Sequence, residues 1–115
     1  MINGINSREM ILEILLEIEE GEHSHVAIRN ALSKYQFLPK QDRAFITRVC
    51  EGTLEYRIQI DYIINSFSKV TVDKMKPAIR EILRSAVYQL KYMDSVPDSA
   101  VCNEAVKLAQ RKGFY

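Results

Sequence analysis

The sequence of 115 residues contains few cysteines, glycines and prolines, and it has no tryptophan. Its two cysteines, Cys50 and Cys102, are widely spaced and form no CxxC pair, so neither a disulfide framework nor a zinc site is predicted. Both are instead predicted to be buried small apolar residues. His23 and His25 have no Asp or Cys at a ligand spacing, which predicts no metal site.

The four glycines are isolated from one another, and both GxGxxG and the P-loop pattern are missing. Binding of a nucleotide or of S-adenosylmethionine by this chain is therefore not expected. Cys50 falls on the apolar side of a predicted helix, which argues against a nucleophilic role. The sequence predicts no catalysis by this chain alone and no cofactor within it.

Long apolar runs are also lacking, and the first six residues have neither the basic region nor the apolar stretch of a signal peptide. These absences predict a cytoplasmic protein with no membrane partner. At this length two independent cores are not expected, so residues 1–115 are interpreted as a single domain.

Apolar residues recur at helical spacing along almost the whole chain, whereas period-2 alternation and Asn-Gly or Asp-Gly turns are missing. The predicted fold class is all-α. A first helix is predicted to begin at a Ser7 cap and to stop at Gly21. A second is predicted to begin at a Ser24 cap and to end before Pro39.

A single helix of roughly 40 Å is predicted from about Gln41 to Ser66, because this stretch has no proline and its apolar residues share one broad face. Gly52 lies in its middle, where glycine costs about 1 kcal/mol relative to alanine. Close packing of another helix is the expected reason. The long helix is expected to be the spine of the bundle.

A strongly amphipathic helix is predicted to begin near Pro77 and to reach Met93, and a last helix follows Pro97 and stops at Gly113. Four polar residues of the first of these two helices fall within about 80° of one another on a helical wheel, opposite its apolar face. They are Arg80, Arg84, Tyr88 and Lys91. A solvent-facing stripe of this kind suits RNA, because cations pair with phosphates and a tyrosine ring stacks on a base, although a merely solvated face is the alternative.

Charge is unevenly distributed along the chain. Residues 1–22 hold six acids and one arginine, a net charge of −5, whereas residues 23–115 carry +6. An acidic first helix repels phosphate, so RNA is expected to approach the basic remainder. Arg8, Arg111 and Lys112 are weaker candidates for RNA contact.

Three segments resemble a known family: REMILEIL from Arg8, DRAFITRVCEGTLEYRIQIDYII from Asp42, and REILRSAVYQLKYMDSVPDSAVCNEAVKLA from Arg80. They resemble the NusB-like domain at the N-terminus of rRNA cytosine-C5 methyltransferases of the RsmB or Sun type. The YQLKYMDSVPDSAVCNEAVKLA stretch is shared with the free-standing antitermination factor NusB. The DRAF, GTLEYR and DYII elements, with Arg57 and Asp61 as a recurring pair, favour the methyltransferase version. Arg57 also precedes Asp61 by four residues, so an ion pair between them is an equally plausible role.

The resemblance implies a NusB-like bundle of about six helices here and an RNA-binding role. It implies that the domain targets a separate methyltransferase domain in cis, which uses S-adenosylmethionine, to small-subunit rRNA. That catalytic domain is not in this chain. The family's catalytic cysteines stand in Pro-Cys and Thr-Cys contexts, and neither Cys50 nor Cys102 matches them.

Two other functions compete with this interpretation: an antitermination factor that binds RNA with a ribosomal protein, and a helical protein-interaction module. The family continues from the NEAV helix into a further helix that this sequence does not contain. Because that helix would cover apolar surface, self-association near the C-terminal helix is expected.

Overall fold

The structure, a computed structural model, describes residues 6–114 and consists of six α-helices and one short 3₁₀ turn. The elements are α1 (Ser7–Glu19), α2 (Ser24–Lys34), α3 (Lys40–Glu55), α4 (Arg57–Phe67), the 3₁₀ turn (Val72–Lys74), α5 (Pro77–Tyr92) and α6 (Asp98–Arg111). None of the described residues belongs to a strand, and the all-α prediction is confirmed.

The caps of the first two helices differ from the prediction. The side chain of Asn6, not Ser7, accepts a hydrogen bond from the Glu9 backbone N–H at 2.8 Å and so satisfies one free donor of the first turn. His23 precedes α2 without a side-chain capping bond. The prediction of Gly21 as a helix stop is confirmed, since its φ of +117° is a conformation that glycine adopts without strain.

The predicted long helix from Gln41 to Ser66 is wrong, because the chain turns at Tyr56 and forms two helices, α3 and α4. Tyr56 has φ −102° and ψ 20°, outside the helical range, although its own N–H still bonds the Gly52 carbonyl. Neither proline nor glycine stands at this turn. The turn brings the Tyr56 ring to 4.4 Å from the Tyr92 ring, a contact between residues distant in sequence.

Close packing at Gly52 is confirmed. A Cβ atom at this position would lie 2.1 Å from the Tyr88 ring of α5, so only glycine leaves room for that ring. The α3–α5 contact therefore depends on a residue without a side chain in the middle of a helix.

The central helix is α5, not the predicted α3–α4 segment. It packs against α1, α3, α4 and α6, and so has neighbours on more than one side. As a result, polar residues outside the predicted apolar face are buried as well, among them Glu81, Ser85 and Gln89. The main core lies between the first five helices, α1 to α5.

Most of the remaining sequence-based predictions are confirmed, and one is wrong. Pro77 occupies the first turn of α5, and Gly113 with φ +89° follows α6, as predicted. Cys50 is fully buried, and burial raises the pKa of its thiol. Cys102 is exposed on α6, so the prediction that both cysteines are buried is wrong for this one.

Candidate nucleic-acid interface

The stripe predicted on α5 does not form one solvent-facing surface. Arg84 retains 8% of its exposed area and Tyr88 retains 5%, because α4 and α3 cover this side of the helix. Arg80 is partly buried, and Lys91 alone of the four is exposed. The helical-wheel prediction placed a single face of α5 in the core, whereas other helices pack against α5 on more than one side.

Arg84 binds carboxylates from two helices. Its Nε and Nη2 donate to the two carboxylate oxygens of Asp61 at 2.8 and 2.9 Å, and its Nη1 donates to Glu81 at 2.7 Å. The bidentate geometry is the strongest form of an arginine–carboxylate pair. Asp61 thus pairs with Arg84 across the α4–α5 contact, and the predicted pair with Arg57 is not formed.

Arg80 joins the same group from the next turn. Its Nε and Nη2 donate to Glu19 of α1 at 2.8 and 2.7 Å, and its Nη1 donates to the carbonyls of Val72 and Met75. We call Glu19, Asp61, Arg80, Glu81 and Arg84 the ion-pair cluster. It connects α1, α4, α5 and the 3₁₀ turn.

Three carboxyl groups share two guanidinium groups in this cluster, which separates the pKa values of two of them. Burial, and then a hydrogen bond with Glu19, raise the pKa of Glu81 to about 7. The hydrogen bond from Arg80 lowers the pKa of Glu19 to about 2. Glu81 therefore holds a proton below about pH 7, while Glu19 carries a negative charge there.

Tyr88 belongs to a group of rings that we call the tyrosine cluster (Tyr56, Tyr88 and Tyr92). The ring centroids of Tyr88 and Tyr92 lie 5.4 Å apart, and those of Tyr56 and Tyr92 lie 4.4 Å apart, with all three rings close to parallel. The Tyr92 hydroxyl donates a hydrogen bond to Gln59 of α4. The sequence prediction selected the buried ring, Tyr88, and missed the exposed one, Tyr56, because Tyr56 lies at the turn between α3 and α4, far from α5 in the sequence.

The weaker candidates have different surroundings. Arg8 is half-buried, donates to Gln89 of α5 at 3.2 Å and lies over the Phe45 ring. Arg111 and Lys112 are exposed at the end of α6, and Arg111 approaches Glu9 of α1 at 3.6 Å.

A further cation joins this end of α6. Lys76, just before α5, lies 6.0 Å from the centre of the Phe114 ring, so the start of α5 and the end of α6 are neighbours. We call Lys76, Arg111 and Lys112 the C-terminal basic patch. Lys76 was missed because its proximity to α6 results from the antiparallel packing of the last two helices.

Residues 6–114 contain neither a membrane-spanning helix nor a metal-binding cluster. No helix there is long and apolar enough to cross a bilayer, and no group of His, Cys, Asp or Glu side chains is arranged to hold a metal ion.

Comparison with known families identifies the fold. The profile of the NusB family matches residues 5–114. This chain belongs to the NusB family. The all-α bundle is accordingly the NusB fold, and a crystal structure of the antitermination factors NusB and NusE in complex with double-stranded RNA superimposes with a TM-score of 0.83. That match covers 92% of this chain and 80% of the other at 18% identity, which establishes the fold alone.

Relatives of two kinds align with this chain. The probable ribosomal RNA small subunit methyltransferase B of Bacillus subtilis is 31% identical over 92% of this chain, which spans only 24% of that enzyme. The transcription antitermination protein NusB of Acetivibrio thermocellus is 31% identical over 90% of this chain, which spans 72% of that protein. The family is therefore established, and the role of the whole protein is a matter of proposal.

Proposed function

We propose that this NusB-family domain binds RNA. The observation that supports the proposal most is the family match over residues 5–114, together with the fold shared with a NusB protein solved in complex with double-stranded RNA. The chain itself offers suitable groups, since several cations are exposed, and the ion pair of Arg111 with Glu9 of α1 is long and partly exposed at 3.6 Å.

The C-terminal basic patch is the proposed docking surface for phosphates. Arg111 and Lys112 are exposed, and Lys76 lies beside them next to an aromatic ring. Arg8 and Lys91 are retained as further proposed contacts. RNA contact stays a prediction for three further residues, Arg80, Arg84 and Tyr88. For the two arginines, it would require the ion pairs with their carboxylate partners to break.

A salt titration tests this surface. If Arg111 and Lys112 each contact one phosphate of a single strand, replacing both by glutamine should reduce the slope of log K against log salt by roughly 1.4, at about 0.7 per contact. The matched control replaces Arg29 and Lys34, two exposed cations of α2, by glutamine. If the slope falls equally in both double variants, only the net charge of the protein matters for binding, and the assignment of the C-terminal basic patch is wrong.

For the whole protein we infer an antitermination role with a ribosomal protein partner as the better-supported possibility. The aligned region accounts for 72% of the NusB relative but for only 24% of the methyltransferase, and this supports the inference. A calorimetric titration with NusE, in the presence and absence of RNA, tests this role. Absence of any complex with NusE while RNA still binds would contradict it.

The second possibility is the targeting of an S-adenosylmethionine-dependent methyltransferase to small-subunit rRNA in the cytoplasm. It is supported by 31% identity to methyltransferase B over 92% of this chain. A catalytic domain encoded in frame after Tyr115 would establish it. The 115-residue chain is still expected to bind no S-adenosylmethionine, which calorimetry can measure.

Self-association of the isolated chain is a separate expectation. Val106 on α6 and Leu90 on α5 are exposed apolar side chains that a further helix could cover. Sedimentation equilibrium at high concentration should show dimers, and a strict monomer would contradict this.

A further inference from the structure

The exposed member of the tyrosine cluster is Tyr56, at the turn between α3 and α4. Its ring stacks on Tyr92, yet the residue retains 37% of its accessible area, whereas Tyr88 is almost fully buried. An aromatic side chain that is held by a ring on one side and is open to solvent elsewhere is a platform on which a further planar group can stack.

Each ring of the cluster is fixed by a different feature. Gly52 leaves the space that Tyr88 fills, and Gln59 accepts the hydrogen bond of the Tyr92 hydroxyl. The break of the helix at Tyr56 directs the third ring onto Tyr92. Because the rings are held by their neighbours, little side-chain entropy remains to be lost when a ligand stacks.

Two cations lie beside these rings. Arg48 of α3 donates to the backbone carbonyl of Tyr92 at 3.2 Å, and the ammonium group of Lys91 lies 5.6 Å from the centre of the Tyr92 ring. Both side chains are exposed, and within residues 6–114 neither forms an ion pair. The arginines of the ion-pair cluster, by contrast, have carboxylate partners.

The surrounding acids limit the direction from which an anion can approach. Glu51 and Glu55 line the open cleft along α3, but so do three cations, Lys40, Arg43 and Arg48. A phosphate is therefore repelled next to the two acids and attracted next to Arg48 and Lys91. A ligand must therefore combine a flat ring with a negative charge next to it.

We propose that Tyr56 is a stacking site for one unpaired base of a single-stranded RNA, with Arg48 and Lys91 binding the adjacent phosphates. This inference rests on the proposed RNA-binding function and adds to it a specific site and a preference for single strands. A base inside a duplex is already stacked on both faces and is not available to this ring.

The first experiment uses the absence of tryptophan from the chain. In Tyr56→Trp the new indole is the sole tryptophan, and stacking of a base on it should quench its fluorescence. The probe is a 12-nucleotide oligoadenylate, compared with a duplex of equal length. Tyr62→Trp is the matched control, because Tyr62 is a highly exposed tyrosine of α4 outside the cluster. Quenching by the single strand is expected in Tyr56→Trp and not in Tyr62→Trp.

The second experiment measures affinity by titration. Tyr56→Ala should weaken binding of the single strand roughly 5- to 100-fold and leave its salt dependence unchanged. Tyr56→Phe, which keeps the ring, should bind within about twofold of wild type. Replacing Arg48 and Lys91 together by glutamine should lower the salt slope by roughly 1.4.

The outcomes separate this inference from the broader proposal. If wild type binds RNA but Tyr56→Ala binds the single strand as tightly as wild type does, the stacking site is wrong and the RNA-binding function stands. Equal quenching in the two tryptophan variants would also overturn it. If wild type binds neither single strand nor duplex, both proposals fail. Should Tyr56→Ala not fold, the comparison of Tyr56→Trp with Tyr62→Trp still decides.

Discussion

The two halves of α5 carry similar basic residues in opposite surroundings. In the first half, Arg80 and Arg84 are enclosed by carboxylates from α1, α4 and α5 itself. At the far end, Lys91 is exposed beside the tyrosine cluster, with Arg48 as its neighbour. The charge of a residue is the same in both places, but a cation enclosed by carboxylates of the bundle is not free to bind an external phosphate. The first half therefore stabilises the bundle, and the proposed phosphate contact of α5 lies at its exposed end.

The largest expected effect of a single change is on the enclosed half. Arg84→Ala leaves the partly buried Asp61 carboxylate without its bidentate partner, which should destabilise the fold by roughly 2 to 4 kcal/mol. Urea unfolding measures this loss in the free energy of unfolding. The control is Arg48→Ala, which removes the cation of α3 beside the exposed end of α5. It should change the free energy of unfolding by less than about 0.5 kcal/mol. Similar values for the two variants would remove the distinction between the halves.

The pH dependence of stability tests the same cluster. Because the folded-state pKa of Glu81 is raised to about 7, the native protein holds a proton that the unfolded chain releases above about pH 4.5. The free energy of unfolding should therefore fall between about pH 5 and 7, by an amount on the order of 2 kcal/mol. Glu81→Gln, which is neutral at every pH, should abolish this decline.

Glu19 should affect stability in the opposite direction, at acidic pH. Its pKa is lowered to about 2, so the stability it contributes is present above about pH 4.5 and is lost as the pH falls toward 2. In Glu81→Gln this acid-side loss should remain. A variant that loses both slopes would show that the two carboxyl groups titrate as one unit.

A smaller effect is expected at the contact between α3 and the second half of α5. In Gly52→Ala the added methyl group overlaps the Tyr88 ring, and overpacking outweighs the better helix propensity of alanine by about 1 to 2 kcal/mol. The coupling free energy between the two positions follows from denaturant unfolding of three variants, Gly52→Ala, Tyr88→Ala and the double variant. In the Tyr88→Ala background the Gly52→Ala change should be neutral or stabilising, and persistence of the full loss there would point to a different clash.

The smallest effect concerns recognition at the exposed half. Glu55 adjoins Tyr56 and repels phosphates near it, so Glu55→Gln should strengthen binding of single-stranded RNA by at most about fivefold, as expected for an exposed charge interaction of about 0.2 to 1 kcal/mol. The matched change Glu13→Gln on α1 removes the same charge away from the site. Equal gains in both would indicate a general effect of net charge.

Prediction from the sequence succeeded where a residue acts on its own segment. Apolar periodicity, the proline at the start of α5 and the glycine after α6 determine where most helices form, because each acts on neighbouring backbone. The segments that resemble the NusB family correctly indicated the fold. Gly52 could be recognised as a close-packing site, since a glycine inside a helix is unfavourable unless space is needed.

The candidate site was predicted less well. A helical wheel shows which side chains share a face, but it does not show how many neighbours the helix has. Arg84 and Tyr88 were therefore expected at the surface, although α3 and α4 cover them. Asp61, which neutralises Arg84, lies 23 residues earlier on another helix, and no local pattern links the two.

The sequence by itself determined the fold class, most helix positions, the family and the uneven distribution of charge, since these follow from local backbone preferences and from composition. Only the tertiary structure decided the break at Tyr56, the central position of α5 and the division of its cations into enclosed and exposed groups. The physical reason is that burial and ion pairing depend on groups far apart in the chain. An arginine paired with a carboxylate of another helix looks the same in the sequence as one that is free to bind a phosphate.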